Sequence, residues 1–378
     1  MDFEIITKAE DFWSLKEDWN QLNRYSEYPN LFLTHEWVWT WWQAFARPED
    51  LWILAARDDG CLTGIIPFMK KRIRRHGLPL ETIQFLANAH SNETGFISPE
   101  MNARFFNHLI DFLSKNRSAW DIMNLSLLSD KGPLTQFLAS SGGRNTFYWG
   151  IKPGVVSPVL HPGATFETYL QSLSKKSRYN VRKKRRAIEK LPGFKIRHFC
   201  GTAGAGDFLK AVHKIEKKSW KYSAGNSLIS RPNVWTFYKS IVAVAAQKKW
   251  FQGFVLYLND KPAAFELAFA FEEELFSQKI SYAAEWAKYS PGFVLKTDVV
   301  RWACENGFKT NHLLGNEEPW KFHLGGSVNP HVYVLAYKPG IHRKLLAKWE
   351  FEWIHQLGRL KRIIKKRITS RQKAGGQR

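Results

Sequence analysis

The chain has 378 residues, 44% of them hydrophobic and 15% aromatic, with 17 Trp; this supplies apolar surface for more than one core and excludes a disordered chain. Its formal charge of +22 is concentrated in two places. Residues 170–190 hold nine basic residues and one acid, and residues 341–378 hold twelve basic residues and two acids, so the remaining body is nearly neutral and each basic segment needs its own explanation. Cys61, Cys200 and Cys304 lie far apart with no Cys-x-x-Cys pair, which argues against a disulfide framework or a zinc site and for free, buried thiols in a reducing compartment.

Met1 to Ile6 carries no basic leader, and no apolar run approaches the roughly 20 residues that span a bilayer, so the expectation is a cytoplasmic protein. Apolar spacing then predicts helices over 12–23 and 35–45, with Asp11 and Ser14 as candidate N-caps. Trp52 to Arg57, the turn Asp58-Asp59-Gly60, and Leu62 to Phe68 read as a β-hairpin. A strand over 82–86, a helix over 104–115 and a strand over 121–128 follow.

The same order returns in the second half. Helical stretches 207–220, with Asp207 as a candidate cap, and 234–249 precede a hairpin of Phe254 to Leu258, Asn259-Asp260-Lys261 and Pro262 to Phe269. A strand over 276–282, a helix over 293–305 and a strand over 312–314 complete the set. Such a repeat predicts two α/β domains of one topology, 1–160 and 161–340, divided near the turn signals Lys152-Pro153-Gly154 and His161-Pro162-Gly163.

At the head of the second domain, Leu173 to Arg186 carries eight Lys or Arg residues and no acid. Leu173, Tyr179, Val181 and Ile188 give it one apolar edge, which predicts a helix stopped by Leu191-Pro192-Gly193. Clustered cations of this kind face a polyanion or water. Residues 341–378 read as a basic amphipathic helix and tail, able to lie on anionic lipid or to dock on the protein body.

Candidate chemistry collects between Tyr282 and Gly325. Ser290-Pro291-Gly292 has the composition of a helix start, with Ser as N-cap, Pro where no N–H is needed and Gly where backbone approaches closely; it could receive a phosphate or be an ordinary corner. Glu317-Glu318-Pro319-Trp320-Lys321 occupies a Gly-flanked loop, where a carboxylate could accept a proton and Lys321 could hold developing charge, or both could form a solvated pair. Glu266 lies in an apolar strand, either lining a cleft or exposed on a sheet face. The twelve His residues show no metal-ligand or triad spacing, so no metal, Ser-His or Cys-His chemistry is assigned.

Leu173-Ser174-Lys175-Lys176-Ser177-Arg178-Tyr179-Asn180-Val181-Arg182, then Tyr282 and Trp286 ahead of Ser290-Pro291-Gly292, then Glu318-Pro319-Trp320-Lys321, resemble in this order the CelD-like acetyltransferases associated with cellulose and exopolysaccharide biosynthesis. That family belongs to the GNAT superfamily and is related to the Fem aminoacyltransferases. The resemblance implies tandem GNAT-like domains, each a mixed, mostly antiparallel sheet flanked by helices, and acyl transfer from acetyl-CoA or another acyl-CoA cosubstrate to an amine or hydroxyl of a sugar or polymer precursor. Tyr282, Ser290, Gly292 and Phe293 would bind the donor; Glu318, Lys321 and Glu266 would be catalytic. Lys175, Lys176, Arg178 and Arg182, with Trp286 and Trp320, would line a cleft for a phosphate-bearing substrate, leaving Lys183 to Arg186 solvated. The rival expectations are an aminoacyl-tRNA donor held by the basic run, and a non-catalytic polyanion-binding or assembly protein.

Overall fold

The computed structural model describes residues 1–140, 146–315 and 317–353. Thirteen strands form among them: β1 (Asp2–Ile6), β2 (Ile53–Asp58), β3 (Cys61–Ile66), β4 (Phe68–Arg75), β5 (Leu78–Phe85), β6 (Ile122–Ser129), β7 (Tyr148–Leu160), β8 (Lys195–Cys200), β9 (Phe251–Leu258), β10 (Lys261–Phe271), β11 (Glu274–Tyr282), β12 (Thr310–His312) and β13 (Ser327–Tyr337). The helices of the first half are α1 (Ala9–Ser14), α2 (Lys16–Tyr25), α3 (His35–Phe45), α4 (Ala103–Lys115) and α5 (Pro133–Ala139). Those of the second are α6 (Phe166–Ser172), α7 (Lys175–Glu189), α8 (Gly201–Lys217), α9 (Trp220–Ser223), α10 (Pro232–Gln247), α11 (Pro291–Glu305), α12 (Pro319–Phe322) and α13 (Ile341–Lys348). None of them is long and apolar enough to cross a membrane.

The repeated plan is explicit in the pairing. In the second half β8, β9, β10 and β11 run antiparallel in sequence, and β11 then pairs parallel with β12 across the helix α11. The first half repeats this with β1, β2 and β3, then β4 and β5, and a parallel β5–β6 pair joined by α4. Pro67 divides β3 from β4, because proline cannot donate to a ladder. The first hairpin therefore sits in a three-stranded sheet of its own, while everything else forms one ten-stranded sheet. Hairpin turns at Asp59-Gly60, His76-Gly77 and Asn259-Asp260 all have both φ angles positive, matching the twist of the strands they join.

The centre of the large sheet runs β6-β13-β7-β12. Each half thus gives its last strand to the other: β7 pairs with β12 of the second half, β13 pairs with β6 of the first, and β7 and β13 pair with each other from Tyr148↔Tyr337 to Val159↔Ser327. Neither half closes its sheet alone. The core is shared as well, since Trp37 on α3 packs edge-on against Phe237 of α10 and Phe269 of β10, both at 5.5 Å.

Several local expectations change. Asp11 and Ser14 lie inside α1 and Asp207 inside α8, helices whose N-cap positions, Lys8 and Cys200, make no side-chain cap. The side-chain caps of the α-helices are Thr34, Asn102, Thr165, Ser174 and Ser219, each accepting from an N–H in the first turn. Leu15 breaks the stretch read as one helix over 12–23 into two. β12 falls two residues earlier than 312–314, because Leu314 (φ 50°) and Gly315 (φ 62°) turn the chain away. Cys61 and Cys200 are exposed, and Cys304 alone is buried, its thiol donating to Pro162 O at 3.2 Å. Tyr179 is exposed, not part of the apolar edge that Leu173, Val181 and Ile188 bury.

Of the expected 341–378 helix, α13 and one wider turn over Trp349–Trp353 are described, and residues 354–378 lie outside the described set. This segment is pinned to the first half by Glu350, which is buried and accepts from Arg75, Lys152 (2.6 Å), His76 (3.1 Å) and Tyr337 (2.8 Å). Those donors outweigh the desolvation that opposes ionisation and hold its carboxyl far below the ordinary range. Stability from a depressed carboxylate is complete above its unfolded pKa of about 4.3 and lost as pH falls below it. Glu350→Gln is expected to cost about 2 kcal/mol at pH 7, with the gap from the parent shrinking steadily from pH 5 to pH 3 in thermal melts.

Candidate functional site

β11 and β12 pair over only three residues, Glu274–Phe276 against Thr310–His312; β11 then continues to Tyr282 while β12 turns off at Leu314. Two adjoining chambers open beside this divergence. The inner one, of about 230 Å³, is lined by Glu266, Ser277, Lys279, Lys296, Leu314, Gly315 and Lys321. The outer one, of about 380 Å³, runs past Tyr282, Ser290, Gly292 and Phe293 at the start of α11. Lys221, Ile280, Glu318 and Trp320 line both.

The outer chamber ends at the N-terminus of α11. A short 3₁₀ segment, Ala284–Tyr289, separates that helix from β11, so Ser290-Pro291-Gly292 does not follow the strand directly. Ser290 occupies the N-cap position but in the left-handed region (φ 54°, ψ 50°), and its hydroxyl caps nothing. The N–H groups of Gly292 and Phe293, two residues that line the chamber, therefore have no side-chain cap from Ser290 and lie at the positive end of the helix dipole. A Cβ at Gly292 would stand 3.3 Å from the Tyr282 ring, a tighter contact than most side chains make. Lys184 of α7 covers the Phe293 ring at 4.4 Å, and burial lowers its pKa.

Beneath the inner chamber lies a buried polar cluster. Lys296 Nζ, on α11, donates to Glu266 Oε1 at 2.8 Å, Ser277 Oγ at 2.5 Å and Asn311 Oδ1 at 3.3 Å, while Ser277 Oγ donates to Asn311 at 2.8 Å. Glu266 is thus fully buried rather than exposed on a sheet face, and its partner Lys296 is 1% exposed. Glu266 Oε2 and Asn311 Nδ2 have no hydrogen-bond partner within the described residues. Lys321, on α12, is buried and donates to Leu314 O at 2.6 Å, with Glu318 at 3.2 Å; burial pulls its pKa down and Glu318 opposes. Lys221 donates to Ile280 O at 2.8 Å.

The structure therefore gathers Glu266, Glu318, Lys321 and Trp320 around one chamber and Tyr282, Ser290, Gly292 and Phe293 around the other. It does not bring the rest in. Lys175, Arg178 and Arg182 line a separate open groove on the outer face of α7 with Tyr179, Lys183, Arg186 and Lys190. Arg178 caps backbone carbonyls of Gln171 and Leu173, and Arg182 pairs with Glu167. Lys176 is exposed, and Trp286 packs near Tyr289 outside both chambers. Within the basic run it is Lys184, one of the residues expected in solvent, that reaches the chamber, because it faces the start of α11.

Lys221, Lys279, Lys296, Ser277 and Asn311 were not singled out from the sequence. A lone lysine between Leu295 and Thr297 in an apolar helix, and the Gln278-Lys279 pair in an apolar strand, were the available signals. Removing one partner of the buried pair leaves an uncompensated charge. Lys296→Met is expected to cost about 3–5 kcal/mol in urea unfolding, while the double change Glu266→Leu with Lys296→Met recovers most of it; an additive double variant would show that the two do not act as a pair.

Residues 175–322 match the family model described as "Acetyltransferase (GNAT) domain". No curated protein sequence matches the chain. Among solved structures the chain resembles FemX, at 13% identity and a TM-score of 0.60 over 90% of this chain and 98% of that one. It also resembles L-PGS from Bacillus licheniformis, at 11% identity and 0.51 over 91% and 97%. A third likeness is to the C-terminal domain of a protein assigned as a lysylphosphatidylglycerol synthetase from Agrobacterium fabrum, at 10% identity and 0.51 over 82% and 89%. At these identities the likenesses speak for the fold. Residues 175–322 thus match an acetyltransferase (GNAT) domain in the second half of a tandem GNAT-like fold, and that domain marks the chain as an acyltransferase.

Proposed function

We propose that the second unit, residues 161–340, transfers an acyl group from an acyl-CoA in the outer chamber to an amine or hydroxyl of a sugar or polymer precursor that meets it at the junction of the two chambers, in the manner of the CelD-like acetyltransferases. The observation that carries this reading is the meeting of the two chambers at Lys221, Glu318 and Trp320, beside strands that part after Phe276 and His312. Donor phosphates at the start of α11 would meet backbone N–H groups and the helix dipole. The acceptor would attack the thioester carbonyl, with charge on that oxygen facing Lys321 and Glu318 at the junction taking the acceptor's proton; collapse would break the C–S bond and release the CoA thiolate, protonated in turn, into the outer chamber.

The match of residues 175–322 to the acetyltransferase domain favours the second unit as the active one, although the first has a cavity of its own, about 400 Å³, lined by Thr94, Gly95, Leu127 and Ser129. There Thr94 bridges to β6, its N–H donating to Leu127 O at 3.1 Å and its hydroxyl to Ser126 O.

A second reading, an aminoacyl-tRNA donor, draws on the α7 groove. Six cations and the exposed Tyr179 ring offer phosphate contacts and a stacking face. Contact of the basic C-terminal segment with anionic lipid at the inner membrane face would be compatible with either donor.

Calorimetric titration with acetyl-CoA decides between them: micromolar binding, abolished by Gly292→Val, is expected, whereas binding of bulk tRNA that falls steeply with salt, without any acyl-CoA binding, would move the assignment to the second reading. Lys321→Ala is expected to lower kcat by roughly 10²-fold or more, with little change in donor affinity.

A further inference from the structure

The inner chamber carries more positive charge than its own carboxylates balance. Lys221, Lys279, Lys296 and Lys321 line it, against Glu266 and Glu318, and Glu318 is more than half exposed. Three of the lysines are committed: Lys296 to Glu266, Lys221 to a carbonyl, and Lys321 to a carbonyl and Glu318. Lys279 is not. Among the described residues its Nζ makes no hydrogen bond or ion pair, and its nearest aromatic contact is the Tyr238 ring at 5.8 Å. An ammonium with no acceptor, at the edge of a cavity and among like charges, is a costly arrangement unless a ligand supplies the counter-charge.

Size and position narrow the ligand. At about 230 Å³ the chamber is smaller than the roughly 300 Å³ at which pockets begin to hold drug-sized molecules. It suits a chain of a few carbons rather than a nucleotide sugar. It also lies where β11 and β12 part, beyond the junction from the outer chamber, which under the acyl-CoA reading is where the acyl group arrives. An acetyl group there would leave the Lys279 donors unmet; a carboxylate at the far end of the acyl chain would accept charge-assisted hydrogen bonds from them.

We infer that the inner chamber is a carboxylate subsite and that the acyl group transferred is the half-thioester of a short dicarboxylic acid, with Lys279 as the carboxylate's ligand. This rests on the acyl-CoA reading above. Titration adds a second signature. Burial and the neighbouring Lys221 of α9 push the Lys279 pKa down to about 8, Lys321 of α12 adds to this, and Glu216 of α8 opposes it. Glu216 Oε2 is itself held by the Leu228 N–H at 3.1 Å. A bound carboxylate favours the protonated amine, so affinity for it falls as pH rises through 8.

The experiment is calorimetry of the full chain with acetyl-, butyryl- and succinyl-CoA at pH 7 and pH 9. Succinyl-CoA is expected to bind at least about tenfold more tightly than butyryl-CoA at pH 7, as one charge-assisted contact gives, with the preference shrinking at pH 9. Lys279→Met, or Lys279→Gln if the first folds poorly, should reduce the ratio to near unity. Equal affinity for succinyl- and butyryl-CoA, or a preference that survives both substitutions, overturns the inference and leaves the donor reading intact. Absence of binding by all three overturns the donor reading and the inference with it.

Discussion

Everything in this molecule hangs on the reciprocal exchange of β7 and β13. A strand that leaves its own unit must satisfy its N–H and C=O groups in the other, and both do so by lying side by side at the centre of the ten-stranded sheet. The exchange removes two sheet edges that each unit would otherwise expose. It also makes the units thermodynamically inseparable: residues 327–337, from the far end of the described chain, complete the sheet begun by residues 68–129. The mixed aromatic core, in which α3 packs against α10 and β10, follows from that arrangement.

The same exchange builds the site. Because β12 pairs on one side with the incoming β7, it is held in place for only three residues beside β11 before it turns away, and the two chambers open in the gap. The first unit has the same parallel pair and connecting helix, and there Thr94 bridges to β6 beside a cavity of about 400 Å³. One topology therefore yields two differently lined clefts, with four lysines on the inner chamber of the second unit and one, Lys131, on the cavity of the first.

Charge in the site is organised in two tiers. The lower tier is a neutral, fully buried ion pair, Lys296 with Glu266, braced by Ser277 and Asn311 across the diverging strands. It ties α11, β10, β11 and β12 together at the point where ladder hydrogen bonds end. The upper tier is cationic and faces the chamber: Lys221 and Lys321 are anchored by carbonyl oxygens of the same chain segments that shape the cavity, and Lys279 lines it with them. The strongly basic run on α7 contributes little to this field, since most of its cations line the outer groove and Lys184 alone lines a chamber. Net charge and local charge are thus separate properties here, the first a matter of surface and partners and the second of chemistry.

Much of the architecture was legible in the sequence. Period-two and period-3.6 patterns placed both hairpins, α4, α7, α10 and α11 within a few residues, and the repeat of their order implied two units of one topology. The motif order carried the superfamily, and Tyr282, Gly292, Trp320 and Lys321 do line the chambers. What failed did so for physical reasons. Capping depends on where a helix begins, which the apolar pattern leaves loose by a turn, so Asp11 and Asp207 went astray. Basic residues on one helix look alike in sequence, yet a helix presents them in all directions, and only the neighbour α11 selects Lys184 over Lys175 and Arg182. Glu266 and Lys296 are thirty residues apart on different elements, and nothing local pairs them. Local propensity, periodicity and turn chemistry, all short-range effects, determined the elements and their order; strand exchange, the buried ion pair and the cationic chamber are contacts between residues far apart in the chain, and only tertiary packing could decide them.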